Sequence, residues 1–410
     1  MNTSTLSCGI RLIHHPSPTN VAYCGIAIDA GTRDEHPDEF GIAHFCEHML
    51  FKGTTHRSAW HILNRMESVG GDLNAYTTKE ETVVYAAFMK EHLSRAIELI
   101  SDIVFNSTFP QHEMDKEAEV IVEEIESYND SPADLIFDNF ENRLFEGHAL
   151  GHDILGESAR IRQYRHADIQ RFTSRLYLPE RMILFVFGDY DFHQLERVAE
   201  RYTSAYAPKD RASVSLAQND RHPHEDYRQG IYKERHDTHQ AHVMIGCPAY
   251  SADDDRRIAL YFLNNIIGGP GMNSLLNIAL REHQGLVYTV ESSLTNYTDT
   301  STFAVYFGCD LKDVDKCIRI VRKEFDRLMS APMSDRRFSA YMKQIKGQIG
   351  VACDNFESLA LDMAKSFLHY GKFDSIADTY QLLDTLNPAI LHQVANEMLH
   401  PDHLSQLIYH

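Results

Sequence analysis

The same strand-to-helix junction occurs twice in this chain, at positions 220 residues apart. Residues 82–88 are rich in β-branched and aromatic side chains, which favours a strand, and they lead into a helix through Ala96 and Ile97. Residues 302–307 have a similar composition and lead into a helix through Cys317 and Ile318. A repeat of this length predicts two domains of similar plan within the 410 residues.

The remaining apolar pattern predicts one series of strands and helices in each half. In the first half, strands are expected at 21–30 and 82–88, and helices at 40–52, 58–68, 91–105 and 111–128. In the second half, strands are expected at 242–246 and 302–307, and helices at 256–267 and 312–329. Such a series favours an α+β fold of two similar domains, each a mostly antiparallel sheet with helices packed on one face. The polar stretch 207–226 is the best linker, which puts the predicted domains at 1–212 and 213–410.

Charge and composition exclude several classes of protein. The chain carries 39 Lys and Arg against 59 Asp and Glu, a formal net charge of −20, so we do not expect it to bind nucleic acid. No stretch approaches the ~18 continuous apolar residues of a membrane span. The first residues lack the basic and apolar regions of a secretory signal. Seven cysteines without CxxC spacing are typical of reduced thiols, so we expect a cytoplasmic protein.

The residues HFCEH at positions 44–48 are the strongest indication of chemistry. On a helix, His44 and His48 lie one turn apart on the same face, where two imidazoles can share one zinc ion. Glu47 lies beside His48, close enough to act on a water at the metal. A catalytic zinc site also needs a third protein ligand and one open position. Because the chain has 24 histidines, this pattern also arises by chance in roughly one such chain in ten.

The other candidate ligands near this motif are weaker. Cys46 points away from the face of His44 and His48 on a helix, and we expect it to be a core thiol. Six further histidines show no paired spacing with a carboxylate and are expected to be ordinary surface or core residues: His14, His15, His56, His61, His148 and His152.

Around the motif the sequence resembles the pitrilysin-type, or insulinase-like, M16 zinc metallopeptidases, whose inverted zinc motif is HxxEH. The matching segments are residues 41–54, 74–77 and 117–126, and the resemblance covers nearly the whole chain. It implies the LuxS/MPP-like metallohydrolase fold and a short-chain bacterial member similar to the processing peptidases.

The resemblance also implies the third metal ligand. In the family it is a glutamate some 76 positions after the second histidine, which is Glu124 here. Glu123 is the alternative, but the spacing and the Glu-Glu-Ile context favour Glu124. Glu117, two helical turns earlier, then corresponds to a family glutamate that orients a metal ligand.

The resemblance further implies a substrate-binding strand and a distant pair of side chains. Asn74, Ala75 and Tyr76 would form a sheet edge beside the metal, where a peptide adds as an extra strand. Arg281 and Tyr288, seven positions apart in the second half, would bind substrate carbonyls, and the Tyr288 hydroxyl would help to stabilise the oxyanion. Taken singly, these two residues are also compatible with a surface charge and a core aromatic. Relatives often have an arginine where this chain has Leu275, which weakens any inference of detailed substrate preference.

These residues together predict a zinc metalloendopeptidase that hydrolyses unfolded peptides or short polypeptides, with one Zn²⁺ per chain and Glu47 as general base. Long-chain relatives close four such domains into a chamber, so a chain with two domains is expected to form it as a homodimer. The expected partners are peptide substrates and a second copy, with no nucleic acid and no membrane. The alternative is a catalytically inert scaffold or partner subunit of the same fold. A metal-binding module without catalysis is a further alternative, which the presence of Glu47 disfavours.

Overall fold

Two mixed sheets and fourteen α-helices form the part of the chain that the computed structural model describes, which is residues 1–207, 221, 226–236 and 238–410. The strands are β1 (Asn2–Thr5), β2 (Arg11–Pro16), β3 (Val21–Ile28), β4 (Asp72–Thr77), β5 (Thr82–Met89), β6 (Met182–Gly188), β7 (Ile231–Glu234), β8 (Ala241–Ala249), β9 (Val287–Asn296), β10 (Ser301–Cys309) and β11 (Ser405–Tyr409). The helices are α1 (Ile42–Leu50), α2 (Ala59–Glu67), α3 (Leu93–Asn106), α4 (Gln111–Asn129), α5 (Pro132–Leu144), α6 (Ser158–Ile161), α7 (His166–Leu176), α8 (Phe192–Thr203), α9 (Arg257–Gly268), α10 (Val314–Ser330), α11 (Asp335–Ala352), α12 (Phe356–Tyr370), α13 (Ile376–Asp384) and α14 (Pro388–Met398). No helix in these ranges combines the length and the apolar character needed to cross a membrane.

The two sheets repeat one topology, as the duplicated junction predicts. The first sheet has the order β1-β2-β6-β3-β5-β4 and the second the order β7-β11-β8-β10-β9. In each sheet one pair is parallel, β2 with β6 and β7 with β11, and the other pairs are antiparallel. The predicted α+β class with mostly antiparallel sheets is therefore confirmed. In this correspondence β4 and β9 are equivalent edge strands.

The chain forms two compact units whose boundaries do not follow chain order. Unit 1 contains Met1–Glu126, His152–Asp220 and Asn355–Phe373, whereas unit 2 contains Ser127–Gly151, Arg221–Asp354 and Asp374–His410. α5 therefore belongs with the second sheet and α12 with the first. This exchange departs from the predicted division into 1–212 and 213–410. The predicted boundary and most of the predicted linker lie outside the described residues.

The first sheet is covered on both faces, which corrects the expectation of helices on one face only. One face packs against α1 to α4, α7 and α8. The other face is also apolar and includes Ile13, Ala27 and Phe185, so it too must leave water. α12 covers it with Ala360, Met363, Ala364 and Leu368. In unit 2, α5 has the equivalent place on β8 and β11.

Polar contacts fix α12 on the first sheet. The Glu81 carboxylate lies 2.9 Å from Nε2 of His369 and 3.0 Å from Nζ of Lys365. At the other end of α12, the hydroxyl of Tyr85 donates to Glu357 across 2.8 Å. Glu81 lies in the turn before β5 and Tyr85 lies within β5. These contacts therefore hold α12 against the hairpin of β4 and β5.

Candidate metal centre

The packing of α1 decides which of its side chains remain available for chemistry. Six of its nine residues are in the core of unit 1: Ile42, Ala43, Phe45, Cys46, Met49 and Leu50. His44, Glu47 and His48 lie on the remaining side of the helix. Cys46 is completely buried, in agreement with the core thiol that its helical position predicts.

α4 supplies the acidic side of the same site. Its apolar face is buried in the core through Met114, Ala118, Ile121, Val122 and Ile125. That orientation puts Glu117 and Glu124, seven residues apart, toward α1. Both adjacent candidates are exposed, but Glu124 joins the histidines, whereas Glu123 does not belong to the cluster.

The three predicted ligands converge on one point. One donor atom from each of His44, His48 and Glu124 lies within 4.8 Å of the others, and among the described residues no other such cluster is found. Oε2 of Glu124 lies 3.6 Å from Nε2 of His48 and 3.9 Å from Nε2 of His44. Donors of a tetrahedral zinc ion lie about 3.3 Å apart. Two imidazoles and one carboxylate are a donor set that suits zinc, and the donor atoms would have to move closer together to bind it.

The electrostatics of the site act in opposite directions on the two histidines. Burial lowers the pKa of His44 to about 3, with the charge of His48 as a further cause, so its imidazole is neutral at pH 7. Burial also acts to lower the pKa of His48, but the hydrogen bond to Glu117 and the nearby glutamates outweigh it and raise that pKa. The Glu117 carboxylate is 3.2 Å from Nδ1 of His48 and also pairs with Nζ of Lys52 at 2.5 Å. The ionised Glu117 therefore orients His48 with Nε2 toward Glu124.

Glu47 is a carboxylate beside the candidate metal ligands that is not itself in their cluster. It is half-buried, and burial raises its pKa, with the charge of Glu124 as a further cause. A carboxylate with a raised pKa next to an open metal position is suited to accept a proton from water.

β4 carries the predicted substrate strand, and it is the free edge of the first sheet. It packs beside α1, so Asn74, Ala75 and Tyr76 are in the same unit as the metal cluster. The backbone N–H of Ala75 donates to the side chain of Asn74 across 2.9 Å rather than to β5. This amide therefore points out of the sheet, where an added strand would accept from it.

Arg281 and Tyr288 lie in unit 2, on a short π-helical turn (Asn277–Glu282) and at the start of β9. The guanidinium carbon of Arg281 is 5.8 Å from the centre of the Tyr288 ring. Tyr288 is 81% exposed, which rules out the core aromatic as its role. The two side chains form one exposed pair, and their role in substrate binding stays a prediction.

Two further groups near the site have no assignment from the sequence. Lys52, four residues after His48 and just beyond the end of α1, pairs with the other oxygen of the Glu117 carboxylate. His152, expected to be an ordinary histidine, lies 3.1 Å from the buried carboxylate of Glu35. The short spacing between His48 and Lys52 could have indicated that Lys52 lies near the site. No spacing in the sequence indicates that His152 contacts Glu35, because 117 positions separate them.

Two family descriptions match successive parts of this chain. Residues 11–158 match the family described as "Insulinase (Peptidase family M16)", and residues 164–345 match "Peptidase M16 inactive domain". A zinc protease of Streptomyces coelicolor is 31% identical over 398 residues, covering 97% of this chain and 86% of that protein. A zinc protease of Bacillus subtilis is 29% identical over 406 residues, covering 98% and 97%. The names of both describe them as uncharacterized.

A solved structure supports the fold independently. A protease from Helicobacter pylori superposes with a TM-score of 0.89 over 100% of this chain and 98% of its own, at 20% identity. At that identity the likeness concerns the fold alone. The matched family descriptions and the identity along almost the full length of the Streptomyces protein show that this chain belongs to peptidase family M16.

Proposed function

We propose that this protein is a zinc-dependent metalloendopeptidase with one metal site per chain. The observation that carries the proposal is the convergence of His44, His48 and Glu124 within 4.8 Å, with Glu47 adjacent but outside the ligand set. Structural zinc sites are closed by four protein ligands, whereas three ligands and a neighbouring carboxylate are typical of hydrolytic ones. The names of relatives as zinc proteases support the same activity.

The mechanism assigns a role to each side chain around the cluster. Zinc bound by His44, His48 and Glu124 would polarise the scissile carbonyl and lower the pKa of an attacking water. Glu47 accepts the proton of that water on a carboxylate oxygen and later returns it to the nitrogen of the departing amine. Glu117, held by Lys52, keeps His48 in the tautomer that presents Nε2.

The substrate in this proposal is an extended peptide. It adds to the free edge of β4 and accepts a hydrogen bond from the Ala75 N–H, which displaces the side chain of Asn74. An edge strand of this kind recognises backbone rather than one side chain, so unfolded peptides and short polypeptides are the expected class. Arg281 and Tyr288 bind carbonyl oxygens of the same peptide, with the Tyr288 hydroxyl donating to the developing oxyanion.

We also propose that two chains assemble to make a complete chamber. One chain contains two domains of the repeated topology and carries both the metal cluster and the Arg281–Tyr288 pair, so a homodimer is self-sufficient. Sedimentation velocity should give a dimer at micromolar concentration. A fully active monomer would contradict the proposed dimer but would leave the assignment of the metal site unchanged.

A reducing, cytoplasmic location fits this proposal. All seven cysteines are free thiols, and six of them are buried. Free buried thiols are typical of proteins from reducing compartments. Fractionation of the source cell, followed by detection of the protein in each compartment, tests the location.

Cleavage of a quenched fluorescent peptide tests the activity. The wild type loaded with zinc should cleave, and a chelator should stop it. Glu47→Gln should lower kcat by about 10²–10⁴-fold while zinc content stays the same. Glu123→Gln is the matched control, because Glu123 neighbours a ligand but lies outside the cluster, and it should remain active.

Two results of this experiment would reject parts of the proposal. Equal cleavage by the wild type and Glu47→Gln would remove Glu47 as the base. If the zinc-loaded wild type cuts no member of a broad peptide library, the inert scaffold becomes the better function. The match of residues 164–345 to an inactive domain is the observation that favours this second candidate.

A further inference from the structure

The helix that carries His44 and His48 has no N-terminal cap of its own. α1 begins after Gly41, which has no side chain to accept from the free backbone N–H groups and adopts a left-handed conformation with φ of 89°. Its first turn also contains no acidic residue. The first N–H groups of any helix need partners from outside the helix, and for a buried helix water cannot supply them. His44 is only the third residue of α1, so any fraying there displaces a metal ligand.

Glu35 supplies the missing cap from outside the helix. Its carboxylate accepts the N–H of Gly41 across 3.0 Å on one oxygen and the N–H of Ala43 across 2.8 Å on the other. The side chain of Glu35 is completely removed from solvent. Burial raises the pKa of Glu35 well above its ordinary value, although the bonds from Ala43 and Gly41 act to lower it, so these two hydrogen bonds rather than a full charge hold the end of α1.

The carboxylate of Glu35 is itself held in place. Nε2 of His152 lies 3.1 Å from it, and the His152 ring stacks on Phe40 with centroids 3.9 Å apart. Lys79 donates to the backbone carbonyl of His152. The carboxyl group of Glu35 thus contacts two backbone N–H groups and one imidazole, which fix its orientation toward α1.

The segment of Glu35 is also tied to the hairpin of the substrate strand. The N–H of Arg33 donates to the carbonyl of Lys79 across 2.7 Å, and the guanidinium of Arg33 pairs with Glu80 at 2.7 Å. Lys79 and Glu80 form the turn between β4 and β5. The segment 31–35 therefore contacts both the start of α1 and the turn that follows β4.

His44 depends on this arrangement more than His48 does. Nδ1 of His48 bonds to Glu117, whereas Nδ1 of His44 is buried with no hydrogen-bond partner. With no hydrogen bond at Nδ1 to orient its ring, His44 is oriented mainly by the backbone of α1 and by apolar packing.

We propose that Glu35 is a positioning residue of the metal centre: by capping α1 it fixes the first turn of the helix and thereby the direction of His44. The role rests on the proposed metal site but does not require proteolysis. It differs from ordinary structural support because it acts on one end of one helix and on one of the three ligands.

The test compares two buried glutamates of the same segment. Glu35→Gln replaces one carboxylate oxygen by an NH₂ group that faces a backbone N–H, so one of the two cap bonds is lost. Glu39→Gln is the matched control, because the Glu39 side chain is equally buried but binds Arg171 and Arg175. Zinc affinity is measured by competition with a chelator, and amide hydrogen exchange of residues 41–47 is measured in the zinc-free proteins.

The expected result is specific to Glu35. In Glu35→Gln zinc should bind about tenfold more weakly and the amides of residues 41–47 should exchange at least about tenfold faster. Glu39→Gln should lower the melting temperature while zinc affinity stays within about twofold of the wild type. If Glu35→Gln does not fold, Glu35→Asp, which keeps the carboxyl group but cannot reach both amides, should also weaken zinc binding and speed the exchange of these amides.

The opposing outcomes separate this inference from the proposed function. Unchanged exchange and affinity in Glu35→Gln, or equal changes in Glu39→Gln, would overturn the positioning role. A wild type that binds zinc but cleaves no peptide would reject the proteolytic function alone. If the wild type binds no zinc, the proposed function fails, and the exchange comparison still decides whether Glu35 holds α1.

Discussion

Glu117 accepts a hydrogen bond from Nδ1 of His48 across 3.2 Å, although 69 positions separate the two residues in the chain. The contact fixes the imidazole tautomer and leaves Nε2 of His48 3.6 Å from Glu124. Helix α4 thus contributes twice to the same site, once by the candidate ligand Glu124 and once by Glu117, which orients the candidate ligand His48.

Removing the charge of Glu117 should weaken metal binding. We expect Glu117→Gln to lower zinc affinity by roughly 10–100-fold, because His48 loses its orienting carboxylate. Competition with a chelator measures the effect. Glu113→Gln, one turn earlier on α4 and paired with Lys116, is the control and should leave the affinity unchanged. Equal affinities of Glu117→Gln and the wild type would contradict the orienting role.

Proline at position 75 should impair substrate binding without affecting the metal. The N–H of Ala75 points out of the sheet, so Ala75→Pro removes no bond to β5 but removes the donor for an added strand. Loss of this one hydrogen bond should raise KM by about tenfold. Zinc content and melting temperature serve as controls. A normal KM would show that peptides do not add to this edge.

The hydroxyl of Tyr288 should matter for catalysis and not for folding. Because the residue is 81% exposed, Tyr288→Phe should leave the melting temperature unchanged. We expect kcat to fall by about 100-fold if the hydroxyl stabilises the oxyanion. Unchanged kcat in Tyr288→Phe would remove this residue from the mechanism.

Mixing two inactive variants tests whether one chain completes the site of another. If Tyr288 of each chain serves the metal site of its partner chain, then one of the two sites in a mixed dimer of Glu47→Gln and Tyr288→Phe contains both native residues. Random re-association should therefore restore about one quarter of wild-type activity. No recovery, together with proven exchange of chains, would mean that each chain supplies its own Tyr288.

The buried pair of Glu81 and His369 should make folding stability depend on acid pH. Burial alone would raise the pKa of Glu81, but the hydrogen bond of His369 and the charge of Lys365 outweigh it and lower the pKa to about 2. A depressed carboxyl pKa stabilises the folded state above its unfolded value, and the contribution is lost as the pH falls from about 4.5 to about 2. It amounts to at most about 3 kcal/mol.

Chemical denaturation across this pH range checks the prediction against Glu81→Gln. The difference in the free energy of unfolding between wild type and variant should be largest above pH ~5 and should shrink toward pH ~2. A difference that does not change with pH would mean that the charge of Glu81 contributes nothing.

Much of the fold follows from local patterns, but the assembly of its parts does not. The helix expected at 40–52 is Ile42–Leu50, and the strand expected at 302–307 lies inside Ser301–Cys309. Periodicity locates such elements because it records which face must leave water. It cannot tell which surface buries that face, so the exchange of α5 and α12 between the halves was not predicted.

The sequence by itself determined that His44 and His48 share a helical face with Glu47 between them in the chain, because the pitch of one helix sets those positions. The family resemblance favoured Glu124 over Glu123, but only the tertiary structure brings Glu124 to the histidines, since the rotation of α4 depends on which of its sides the core buries. The cap that Glu35 provides for α1 is likewise a contact between separate segments. Residues distant in the chain become neighbours only when apolar surfaces pack, and no local pattern encodes those distances.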